Sequence, residues 1–126
     1  MNHPNIKGLK NFDQEGAVLI DVVNREYCKK IIIQLPGQNH PSHKHIQKEE
    51  TFHLLAGELE IDVDDHVTVL KAGDSLTIQR GKMHGFRTPT GMILEEISTT
   101  SIKGDSLYED GDIPSDPTTR KTLAIL

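Results

Sequence analysis

Three histidines and two adjacent glutamates crowd into one stretch, HKHIQKEETFHLLAG at 43–57. His43 and His45 are two apart in a strand-like segment, so their side chains leave the same face. Glu50 follows the short connection IQKE, and an antiparallel return would set its carboxylate beside the imidazoles. A fourth donor, His84, stands far along the chain in RGKMHGF, also strand-like. Three imidazoles and one carboxylate suit a divalent transition metal, with coordination positions left for water or substrate. The competing reading is a polar strand that happens to carry histidines, and an HxH pair alone does not exclude it. Alternation from Glu50 turns Phe52 and Leu54 inward and Thr51 and His53 outward, so His53 is not a ligand choice. Lys44 points away from the site. Lys48 and Glu49 read as solvated loop charges, and His3, His40 and His66 as exposed.

Strands must position these residues. AVLIDVV (17–23) and YCKKIIIQL (27–35) are rich in β-branched residues and are separated by a turn-like NRE. PGQNHPS (36–42) reads as a loop. ETFHLLA and ELEIDV flank Gly57, read as a hairpin turn, and Asp64-Asp65 marks a second hairpin before HVTVL. DSLTIQ, KMHGFR and GMILEEIS (91–98) complete the series. Eight or more short strands with no amphipathic helix between them predict an antiparallel sandwich or barrel. A polar stretch follows Thr99, either a cover over a pocket or a frayed tail. The closing TLAIL is apolar enough to dock as an edge strand.

The chain of 126 residues has room for one domain with a real core. Net charge is −5 with no basic stripe, which disfavours nucleic acid as a partner. No apolar run reaches the ~18 residues of a membrane span, and the N-terminus shows no apolar signal region. A single cysteine, Cys28, cannot form an internal disulfide, which fits a cytoplasmic setting; its strand-like neighbours and the lack of a nearby histidine make it a small strand residue rather than a nucleophile.

The glycines carry the pattern further. Residues 37–57 read G-x5-H-x-H-x4-E-x6-G, and residues 73–84 read G-x5-Q-x-G-x2-H. This pair of motifs resembles the cupin superfamily, over about residues 30–98. Gln79 stands where the family's second motif has proline, and Thr88 where it has asparagine; neither position is a family metal ligand. The resemblance implies an all-β, double-stranded β-helix (jelly-roll) barrel. It makes residues 1–126 one cupin domain, with a barrel core at about 17–98 and a polar extension at 99–126. It also implies a divalent transition metal (Mn, Zn, Fe or Ni) held by His43, His45, Glu50 and His84.

HKHIQKEETFHLLAGELEI, followed by GFRTPTGMILEEISTTSIKGDSLYED, is similar to small cupins related to D-lyxose isomerase and to cupin modules associated with sialic-acid-type sugar synthases. That similarity implies a small sugar-like ligand and an isomerase or epimerase, with the metal stabilising enediolate charge and a nearby carboxylate moving the proton. Glu95 is the expected carboxylate, facing inward between Ile93 and Ile97, although Met92 and Leu94 are compatible with the opposite face. Arg87 lies on the face opposite His84, within reach of a phosphate at the rim. Asp105, Tyr108 and Asp110 are candidates to fold over the mouth. Two other functions fit the same residues: a non-catalytic sugar-binding cupin of surface-polysaccharide metabolism, and an Fe(II)-dependent dioxygenase. Pairing through exposed strand edges would give a homodimer.

Overall fold

The computed structural model describes residues 17–109 and the backbone of 123–125. Among these residues the regular structure is all strand, with no helix able to cross a membrane. Ten strands run in the order β1 Val18–Asn24, β2 Tyr27–Gln34, β3 Asn39–His45, β4 Glu50–Val63, β5 His66–Lys71, β6 Ser75–Ile78, β7 His84–Arg87, β8 Met92–Thr99, β9 Ser106–Tyr108 and β10 Leu123–Ile125. Two sheets share β4. Its first half pairs with β6 and β8, and β8 continues through β2 and β1 to β10. Its second half pairs with β5 and β7, and β7 continues through β3 to β9. All pairings are antiparallel except β1–β10, which is parallel and makes the closing apolar segment an added strand beside β1. The fold is the curled, double-stranded β-helix expected from the motifs.

Gly57 is not the hairpin turn that the sequence suggested. Strand β4 passes straight through it for 14 residues, and a register shift between Leu54 and Ala56 bends the strand from one sheet into the other. Gly57 is required for a different reason: its φ is +82°, and a Cβ there would sit 2.0 Å from the Gly91 carbonyl oxygen. The Asp64-Asp65 hairpin is as expected. Both residues have positive φ, 47° and 66°, the backbone of a two-residue turn whose twist matches the flanking strands. The loop read at 36–42 is shorter than expected, because β3 already begins at Asn39.

Strand alternation divides the barrel interior along its length. Leu54 pairs with Leu94, and these pack with Ile32, Leu59, Ile61, Ile78, Phe86 and Met92 into one apolar core. Toward the other end the inward positions turn polar: Glu50 lies opposite Ser98, and Cys28, fully buried, pairs with Ser98 as well. The apolar half holds the strands together, and the polar half is where the candidate site lies.

Candidate metal centre

Strand β3 carries His43 and His45 inward, with a register shift between His40 and His43 that sets His43 directly opposite His84 on β7. Glu50 opens β4 on the same inner side. The four donor atoms lie within 4.8 Å of one another, and all four residues are buried. Nε2 of His84 is 2.6 Å and Nε2 of His45 is 3.5 Å from Oε1 of Glu50.

The remaining ring nitrogens are held from behind. His43 Nδ1 donates to the Pro41 carbonyl at 3.0 Å, and His84 Nδ1 donates to the Lys82 carbonyl at 3.0 Å. A carbonyl can only accept, so each Nδ1 carries the proton and Nε2 keeps its lone pair. His45 Nδ1 contacts the Ser106 hydroxyl at 3.2 Å. Both Glu50 oxygens and His84 Nε2 are buried without an aligned hydrogen bond, the condition expected of atoms that ligate a cation. Three imidazole nitrogens and one carboxylate therefore fit a divalent transition metal.

The electrostatics of the cluster follow from burial against pairing. Burial opposes ionisation of Glu50, but His45, His84 and Lys48 outweigh it and hold the carboxyl well below its usual range. Burial and the neighbouring His40, His84 and His45 push His43 well down, which keeps it neutral. His45 is also lowered, chiefly by burial, whereas contact with Glu50 outweighs burial at His84 and raises it.

Two expectations are corrected on the walls of this site. Glu95 does not face inward. Strand β8 buries Met92, Leu94, Glu96 and Ser98, while Ile93 and Ile97 are 40% and 46% exposed. The pairing of Leu94 with Leu54 sets this parity, and Glu95 is left on the outer face, bonded to Lys29 at 2.8 Å and His53 at 3.3 Å. Glu96 is the inward carboxylate. Lys48 is not a solvated loop charge either: it is buried, with Nζ 3.2 Å from Glu96 Oε2 and 3.4 Å from Glu50 Oε2. Burial by itself would lower the Lys48 pKa, but Glu96 and Glu50 more than offset that and hold the ammonium charged. Burial and the Glu50 charge push Glu96 up to about 7. Strand parity gives no signal for Lys48, because it lies in the connection between β3 and β4 rather than in a strand.

Other residues fall as follows. His53 and Lys44 lie off the inner face, and Arg87 is on the outer face, paired with Glu60 at 2.9 Å. His40 is buried rather than exposed, stacked on Phe86 with ring centroids 4.9 Å apart, because the β3 irregularity turns it inward. His66 is exposed as expected. Tyr108 reaches the site, its ring 5.0 Å from that of His43. Asp105 is buried beneath the loop at 46–48. His3 and Asp110 lie outside the described residues.

Fold and donor set together define a class: a double-stranded β-helix barrel with a histidine–carboxylate centre inside one end. The sequence model of the cupin domain family matches residues 31–99, and the chain belongs to that family. It is 27% identical to a D-lyxose ketol-isomerase of Thermofilum sp. (strain ex4484_79), over 79% of this chain and 71% of that one. A conserved protein with a double-stranded β-helix domain from Klebsiella pneumoniae superposes with a TM-score of 0.67 at 26% identity, over 75% of this chain and 86% of that one. The L-ribose isomerase of Acinetobacter sp. DL28, solved with L-ribose, gives a TM-score of 0.74 at 17% identity, over 89% and 76% of the two chains.

Proposed function

We propose that this cupin is a metal-dependent aldose–ketose isomerase acting on a small free or phosphorylated sugar. His43, His45, Glu50 and His84 hold the metal, and Glu96 carries the proton. The observation that bears most weight is the position of Glu96. It is a buried, inward carboxylate that is not one of the four donors, and it is bridged to Glu50 through Lys48. The kinship with D-lyxose ketol-isomerase supports the same reading.

A divalent cation held there would supply Lewis acidity, polarising the sugar carbonyl. The chain's own groups do the rest. Glu96 takes the proton from C2, and the electrons left behind close a C1–C2 double bond as O1 takes the proton of the 2-hydroxyl. The C2 oxygen then re-forms a carbonyl as Glu96 returns its proton to C1, so no proton, oxidant or reductant is gained or lost. Lys48 fixes one Glu96 oxygen by hydrogen bonding. The apolar core closes the barrel beneath the site.

The test is turnover of a panel of aldopentoses and aldohexoses, D-lyxose and L-ribose included, by Mn(II)-loaded protein in deuterated water. Ketose is the expected product, carrying solvent deuterium at C1 wherever the proton on Glu96 exchanges before its return. Metal-loaded protein that converts no member of the panel and exchanges no C2 hydrogen overturns the proposal. Oxygen uptake by iron-loaded protein would point instead to the dioxygenase alternative.

A further inference from the structure

Beyond the four donors, one short segment touches the site at three points. The Asp105 carboxylate accepts hydrogen bonds from three consecutive backbone amides, those of Ile46 at 3.0 Å, Gln47 at 2.9 Å and Lys48 at 3.1 Å. These amides form the loop between His45 and Glu50, so one buried carboxylate organises the connection between two donors. The next residue, Ser106, sets its hydroxyl 3.2 Å from His45 Nδ1. Two residues further, Tyr108 pairs directly opposite His43 and stacks on its ring.

We infer that Asp105–Tyr108 is a clasp that sets the geometry of the metal donors, with Asp105 and Ser106 as positioning residues. Charge-assisted bonds to three amides hold the 46–48 loop in the tight turn that returns Glu50 toward His45. The same turn carries the Lys48 side chain inward. With Nε2 turned to the metal as the ligating atom, His45 Nδ1 carries the proton and the Ser106 hydroxyl accepts it, which orients the ring. Strand β9 pairs with β3 over His43, Lys44 and His45, so the clasp and the donors move as one unit. A strand that served only to cover an edge would need neither a buried carboxylate under the loop nor a hydroxyl behind a donor imidazole.

The test is Co(II) titration against a competing chelator, read by ligand-field absorption, for the full chain and three variants. Asp105→Asn should weaken Co(II) binding by about 10- to 100-fold and shift the absorption bands, the usual scale for groups that orient metal ligands. Ser106→Ala should weaken it by about tenfold, and Ser106→Thr, which keeps the hydroxyl, should restore it. Thermal melting of the metal-free proteins reports folding; should Asp105→Asn fail to fold, the Ser106 pair decides alone. Wild-type affinity and an unchanged spectrum in Ser106→Ala overturn the inference, as does a wild-type chain that takes up no Co(II). Neither readout involves a sugar, so failure of the isomerase reading leaves this result intact.

Discussion

Glu95 and Glu96 are chain neighbours with opposite surroundings. Glu95 sits on the outer face of β8 and pairs with Lys29 and His53, both 39% exposed. Glu96 sits inside, 5% exposed, on a buried ammonium that also contacts the Glu50 carboxylate of the candidate metal centre. The same side chain is thus a surface ion pair in one position and part of a low-dielectric site in the next. The difference comes from one residue of pleat parity, and it spreads to everything on each face. The outer side carries Ile93 and Ile97, partly wetted, and the inner side carries Leu94 and Met92, sealed.

The sharpest way to break this contrast is in turnover. With Mn(II) bound, Glu96→Gln should lower the isomerisation rate by about 10²- to 10⁴-fold, the usual scale for losing a positioned proton carrier. Glu95→Gln should stay within about twofold of wild type; equal losses in both would erase the distinction. Next in size is the buried ammonium. Lys48→Met should destabilise the fold by roughly 3 kcal/mol, because it strands two buried carboxylates, and the double variant Lys48→Met/Glu96→Leu should recover part of that loss in denaturant unfolding. Below it stands packing: Leu94→Ala should cost about 2–5 kcal/mol and Ile93→Ala less than about 1 kcal/mol. Similar costs for the two would mean that the pleat is assigned the wrong way round.

The smallest effect is the Glu95 pair itself. Lys29 and then His53 hold the Glu95 carboxyl below its usual range. A group depressed in the folded state stabilises above its unfolded pKa and loses that contribution as pH falls through the folded value. The stability difference between wild type and Glu95→Gln should therefore be no more than about 1 kcal/mol near neutrality and fade below about pH 4, as followed by thermal melting across pH.

The site was more legible in the sequence than the fold's turning points. Two-residue spacing put His43 and His45 on one face, and a short connection returned Glu50 to them; both are local consequences of strand geometry. The strand at 27–34 and the Asp64-Asp65 hairpin were equally local. Gly57 was not, because positive φ marks a hairpin and a sheet-to-sheet bend alike. The apolar run MILEEIS was ambiguous in the same way, since Met92 and Leu94 compete with Ile93 and Ile97 for the inner face.

By itself, then, the sequence determined the strand content and the local H-x-H and Glu50 spacing, because these depend on side-chain period, while His84 joins them as a fourth donor only through the resemblance of the paired glycine-framed motifs. Only the tertiary structure decided which face of β8 is inside, since that parity is inherited from Leu94 meeting Leu54 across the sheet. It also decided that Lys48 is buried and that Asp105 lies beneath the 46–48 loop. Those contacts join residues 57 to 59 positions apart, and no local propensity encodes a pairing at that range.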